Sequence, residues 1–96
     1  ISISRRIVTM QELANIYKKE KNYEKAVELW LQVVEIDFSY TAYVELAKYY
    51  EHKEKNLEKA YKMTEQAVEG LSAFRYKESQ EIEKRIERLE KKLNKT

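Results

Sequence analysis

The chain has 96 residues, 43% hydrophobic and 38% charged, with a formal net charge of +2, one glycine, no proline and no cysteine. This excludes a disulfide framework, a thiolate nucleophile and a cysteine metal site, and it argues against disorder and against a turn-rich β-sandwich. The composition points to one all-α domain of helices with short connections, without an apolar run near the roughly 18 residues that a membrane span needs.

In chain order, Ile3, Ile7, Met10, Leu13, Ala14 and Tyr17 recur at helical spacing, and Ser2 or Ser4 can cap them. A polar turn follows, with Asn22 placed as the N-cap of a second helix over residues 23–36. The stripe of that helix is Tyr23, Ala26, Val27, Trp30, Val33 and Val34. Residues 37–39 break the pattern, and Ser39 is suited to cap a third helix over residues 40–51, with Tyr43, Leu46, Ala47 and Tyr50 facing in. Asn56 repeats the role of Asn22. A fourth helix then covers residues 57–69 and turns Leu57, Ala60, Tyr61, Thr64, Ala67 and Val68 to one side. Gly70 stands where a left-handed C-cap is wanted. Beyond it, residues 72–95 read as a fifth helix with a seam of Phe74, Glu78 or Ser79, Ile82, Ile86, Leu89 and Leu93. Spacings such as Glu81 to Arg85 and Glu87 to Lys91 suit i,i+4 pairs on it.

The two halves repeat. ELANIY at residues 12–17 matches ELAKYY at 45–50, an offset of 33, and KEKNYEKA at 19–26 matches KEKNLEKA at 53–60, an offset of 34. The extra residue falls in the polar turn, where an insertion leaves helix faces undisturbed. On these residues the chain resembles the tetratricopeptide repeat family, through Leu13, Ala14, Tyr17, Ala26 and Trp30 in one unit and Leu46, Ala47, Tyr50 and Ala60 in the other. Ala14 and Ala47 stand where that family usually has glycine, and no proline precedes the next unit. The resemblance implies a superhelix of two helix-turn-helix repeats, about 4–37 and 39–70, closed by a capping helix at about 72–95. A repeat unit cannot bury its apolar side alone, so the last helix is expected to serve as the third partner, folded back over the body. The alternatives are contact with a second chain, including self-association, and fraying.

The resemblance also implies a concave partner surface on the first helix of each unit. Its candidate residues are Gln11, Asn15, Lys18, Thr41, Val44, Lys48 and His52. The carboxylate-holding set of some family members is matched only at Asn15, and Val44 stands where a donor is needed. His52 is the only histidine; Glu45 and Lys48 share its helix face, whereas Glu51 diverges from it as an i,i+1 neighbour. One histidine with scattered carboxylates makes no zinc site. Glu24 with Glu28, and Glu54 with Glu58, are interleaved with lysine and read as solvated charge patterning. With no glycine-rich phosphate loop or triad either, no enzyme and no cofactor are expected.

Residues 75–96 hold eight basic and five acidic residues, with Arg85, Arg88 and Lys92 forming a stripe for nucleic-acid backbone that Arg5 and Arg6 extend if the chain ends meet. Residues 42–60 with 84–93 are also similar to the tail of bacterial proteins that carry a ribonuclease H-like exonuclease domain. The expected function is therefore a non-catalytic module binding a protein or peptide, or else an accessory part of a nucleic-acid-processing protein. The opening ISISRRIVTM, without an initiator Met or a signal-peptide core, reads as the start of a fragment, and a chain without cysteine suits the reducing cytoplasm.

Overall fold

The computed structural model describes residues 2–94, without the side chains of Glu78 and Ile82. It is all-α, with four helices: α1 (Ile3–Lys19), α2 (Tyr23–Ile36), α3 (Tyr40–His52) and α4 (Leu57–Asn94). Consecutive helices pack on one another, α1 on α2, α2 on α3 and α3 on α4.

Local chemistry sets the starts. The Ser2 hydroxyl accepts from the Arg5 amide at 3.2 Å, the Ser39 hydroxyl from the Ala42 amide at 3.2 Å, and the Asn56 carboxamide from the Lys59 amide at 3.1 Å. Each satisfies a donor that the first turn leaves open. Asn22 sits at the expected N-cap of α2, but its side chain makes no capping bond.

Both KEKN turns reverse the chain in the same way. Lys21 and Lys55, the third residue of each, take the left-handed conformation at φ 63° and 55°. The Asn22 amide then donates to the Tyr17 carbonyl at 2.8 Å, and the Asn56 amide to the Tyr50 carbonyl at 2.7 Å. The second loop spans one residue more, so the extra residue is absorbed between helices.

The core is small. Ala14, Ala26, Val27, Trp30, Val33, Ala42, Leu46, Tyr50 and Ala60 form its buried cluster, with Ile7, Met10, Tyr17, Leu29, Val34, Tyr49 and Met63 packed against it. Four buried alanines let helix backbones approach, and Trp30 fills the space between them. Leu13, expected to fill the gap between paired helices, is 39% exposed, whereas its counterpart Leu46 is fully buried. α1 packs closely on α2 and touches α3 through the side chains of Lys18 and Gln11, while α3 lies packed between α2 and α4. The same leucine therefore has neighbours on two sides in one place and on one side in the other.

The expected five-helix fold is corrected at Gly70. The chain does not turn there; α4 runs straight through it for 38 residues, about 57 Å at the usual rise per residue. No glycine has a positive φ, so the left-handed cap is not made. Gly70 instead gives room to an aromatic ring. A Cβ at this position would lie 2.6 Å from the Phe38 Cζ and overlap the ring atoms beside it. A glycine inside a helix costs about 1 kcal/mol relative to alanine, which the long helix-favouring stretches on either side outweigh. With no turn after residue 70, the tetratricopeptide-like arrangement of two repeats closed by a separate capping helix is not formed.

Two further expectations change with it. α4 faces α3 through Ala60, Met63 and Ala67, with Gly70 one turn on, not through the whole stripe read from the sequence. Ala60 and Ala67 are buried, but Leu57 is 71% exposed and Val68 56%, and Tyr61 and Thr64 are also open. The last third of the chain does not fold back. Every described side chain from residue 72 to 94 is exposed, Phe74, Ile86 and Leu89 among them. Among the described residues, no ion pair joins Glu81 to Arg85 or Glu87 to Lys91. The seam position Ile82 and the alternative Glu78 lie outside the described side chains, and Lys95 lies outside the described residues. The result is an elongated molecule of 63 × 33 × 19 Å. Its radius of gyration is 18.6 Å, against about 13 Å for a compact chain of this length.

Candidate functional site: a lysine-rimmed cavity between α1 and α3

The C-terminal ends of α1 and α3 lie side by side above the start of α2. Glu45, with only 14% of its side chain exposed, links them. The Lys18 ammonium donates to one carboxylate oxygen at 2.8 Å, and Lys48, one turn further along α3, lies 3.6 Å from the other. A carboxylate this sheltered requires its counter-charges, and the pair across helices fixes the end of α1 against α3.

Beside this cluster is a cavity of about 160 Å³. Trp30, Tyr23 and Tyr49 supply its aromatic surface, and Lys18, Lys48, Lys53 and His52 its polar edge. Lys53 lies over the Tyr23 ring, 4.6 Å from its centroid, which holds both side chains in place. Three lysines face one carboxylate, so the edge is net positive even with a neutral imidazole. Such an edge attracts anions, and the aromatic surface accepts an apolar group. The volume suits one side chain, since ordinary small-molecule pockets are about 300–1,000 Å³.

The sequence-derived surface is divided by the structure. Lys18, Lys48 and His52 do come together at this cavity. Val44 lines a separate concavity of about 230 Å³ between α3 and α4, with Ala47, Thr64 and Val68, and Lys48 borders both. Gln11 donates its amide to the Ser39 hydroxyl and so ties α1 to the start of α3. Asn15 and Thr41 are exposed and line neither cavity. Arg85, Arg88 and Lys92 are exposed together on the distal part of α4, and Arg5 and Arg6 belong to α1, which packs on α2. The divergence expected between Glu51 and His52 is not observed: His52 Nε2 and Glu51 Oε2 are 3.5 Å apart, because both side chains are exposed and turn toward each other in the last turn of α3.

Sequence reasoning missed Trp30, Tyr23, Tyr49 and Lys53 as lining residues. The helix-face relation of Glu45, Lys48 and His52 was the available signal for them. Trp30 read as core, which it also is. Among the described residues no three or more histidines, aspartates or glutamates are grouped to hold a metal ion. No helix among them is long and apolar enough to cross a membrane.

Tyr50, beside Tyr49 at the same end of α3 but outside the cavity lining, is buried. Burial first, and the Glu54 carboxylate second, push its phenol above the ordinary tyrosine value. Lys59 lies over its ring at 5.2 Å, as Lys25 lies over Tyr17 at 5.4 Å in the first hairpin.

No family model matches the chain, and no solved structure matches it. A curated relative, the uncharacterized protein YprB of Bacillus subtilis (strain 168), is 37% identical over 84 residues, which cover 84% of this chain and 20% of YprB. The chain thus spans about a fifth of the length of the relative it resembles.

Proposed function

We propose that this chain is a non-catalytic protein-interaction module whose cavity between α1 and α3 takes a short acidic segment of a partner. The observation that carries this reading is the cavity itself: an aromatic surface sized for one side chain, with three lysines at its edge and one carboxylate holding two of them. An apolar side chain would enter against Trp30, and carboxylates on either side of it would meet Lys48 and Lys53. Glu45 keeps Lys18 and Lys48 in position before the partner arrives, which reduces the ordering cost of binding.

Trp30 is the sole tryptophan, so its fluorescence reports directly on the cavity. Titration with a library of short peptides, each an apolar residue flanked by Asp or Glu, is expected to shift that emission, and matched Lys-flanked peptides to leave it unchanged. Lys48→Glu combined with Lys53→Glu is expected to weaken binding about tenfold or more, as for loss of charge partners at an interface. Equal response to acidic and basic peptides, or unchanged binding by the double variant, removes the reading.

The exposed stripe of Arg85, Arg88 and Lys92 supports a second reading, in which the chain is the accessory part of a longer nucleic-acid-processing protein. The short span relative to YprB agrees with a part of something larger. Glu81, Glu83, Glu87 and Glu90 interrupt the positive surface, which ranks this reading second. Its test is single- and double-stranded DNA and RNA binding by anisotropy across a salt series. Affinity that falls steeply with salt, and falls further in Arg85→Ala/Arg88→Ala, supports it; binding absent at low salt removes it.

A further inference from the structure

The distal half of α4 carries an apolar stripe with an ordered charge pattern on its two flanks. Ile86, Leu89 and Leu93 follow one another at three and four residues, the spacing of a coiled-coil seam. Ile86 and Leu89 are about half exposed, and among the described residues no other helix covers them. Val68 is eighteen residues before Ile86, five full turns, so the open stripe beside the body and the distal seam lie on the same helix face. From residue 83 onward the flanks separate by sign. Glu83 and Glu90 border the seam on one side, and Arg85 and Lys92 on the other.

We infer that the occupant of this stripe is a second copy of the same helix, running parallel and in register. The charge pattern decides both partner and direction. In a parallel pair, each flanking residue faces the one five positions further along its partner, on the opposite flank. Arg85 of each copy then faces Glu90 of the other, giving two attractive contacts related by twofold symmetry, while the same rule sets Glu83 against Glu78 nearer the body, so the attraction belongs to the distal heptad. In an antiparallel pair like flanks meet, so Glu83 faces Glu90 and Arg85 faces Lys92, and both contacts repel. The seam geometry agrees, with β-branched Ile86 at the first core position and Leu89 at the second, the combination that favours two strands. This pairing is independent of what the cavity between α1 and α3 binds.

The chain lacks cysteine, which makes the test direct. Leu89→Cys puts a thiol on the seam, and a parallel in-register pair brings it against its own copy. Lys91→Cys puts a thiol on the far side of the same turn. Under mild oxidation the full chain carrying Leu89→Cys is expected to form a covalent dimer about tenfold or more faster than Lys91→Cys, because pairing raises the effective concentration of one thiol and not the other. Sedimentation of the cysteine-free chain is expected to show a monomer–dimer equilibrium. Arg85→Glu shifts it to monomer, and Arg85→Glu with Glu90→Arg restores the dimer. All these positions are exposed, and circular dichroism verifies that each variant remains folded. A monomer at every concentration, equal crosslinking rates for the two cysteines, or a dimer indifferent to Arg85→Glu overturns the inference.

Discussion

The two helical hairpins of this chain are built from nearly the same sentence of residues, yet they differ in what those residues achieve. In the first, α1 packs closely on α2 and meets α3 through side-chain tips, Leu13 remains partly in water, and α2 stops at Ile36. In the second, α3 is covered on both sides, Leu46 is fully buried, and the corresponding helix runs on through Gly70. The lesson is that a residue's contribution follows from how many elements surround its helix, not from the motif that contains it.

The difference is broken most sharply at the matched leucines. Leu46→Ala is expected to cost about 2–5 kcal/mol and Leu13→Ala about 1 kcal/mol or less, measured by urea unfolding with unchanged m-values. Equal losses would mean that α1 is covered as fully as α3. Next in size is the residue that lets α4 continue. Gly70→Ala in the natural chain is expected to destabilise by about 1 kcal/mol, because the overlap with the Phe38 ring exceeds the gain in helix propensity. In a Phe38→Ala background the same change is expected to stabilise by about 1 kcal/mol. The sign reversal in that double-mutant cycle is the measurement.

The caps give a smaller contrast. Asn56→Ala removes a side-chain bond to the first turn of α4 and is expected to cost about 1 kcal/mol, whereas Asn22→Ala removes none and is expected to cost a few tenths at most. The smallest effect is confined to alkaline pH. The phenol of Tyr50 is raised in the folded chain, so the fold retains its proton where the unfolded chain has lost it. Its contribution is constant below about pH 10, the unfolded value, and is lost as pH rises from there through the folded value. Thermal melts at rising alkaline pH are expected to decline less in Tyr50→Phe than in the natural chain.

Much of this was legible beforehand, and the limits have physical causes. The first three helices, the two lysine-bearing turns and the caps at Ser2, Ser39 and Asn56 follow from local chemistry, and local chemistry is written in adjacent residues. Gly70 was misread because the reason for a glycine there is a ring thirty-two positions away in sequence. α4 carries two usable stripes, one of small residues and one of large ones. Periodicity groups both on one side, but close approach to α3 selects only the small residues, Ala60 and Ala67. The candidate site was half legible for a similar reason. Lys48 and His52 share a face with Glu45, which periodicity reveals, but the roles of Trp30 and Tyr23 depend on how α2 seats beneath α1 and α3.

The unbroken course of α4 makes length a quantised variable in this protein. The second turn accommodated one added residue without cost to any face. The same addition inside α4 would swing everything beyond it by about 100° and carry it about 1.5 Å outward. Insertions of about seven or about eleven residues, each close to a whole number of turns, would return the distal surface to its bearing relative to the cavity. Divergence in length among kindred chains should therefore accumulate freely at the lysine turns and only in near-whole numbers of turns along this rod.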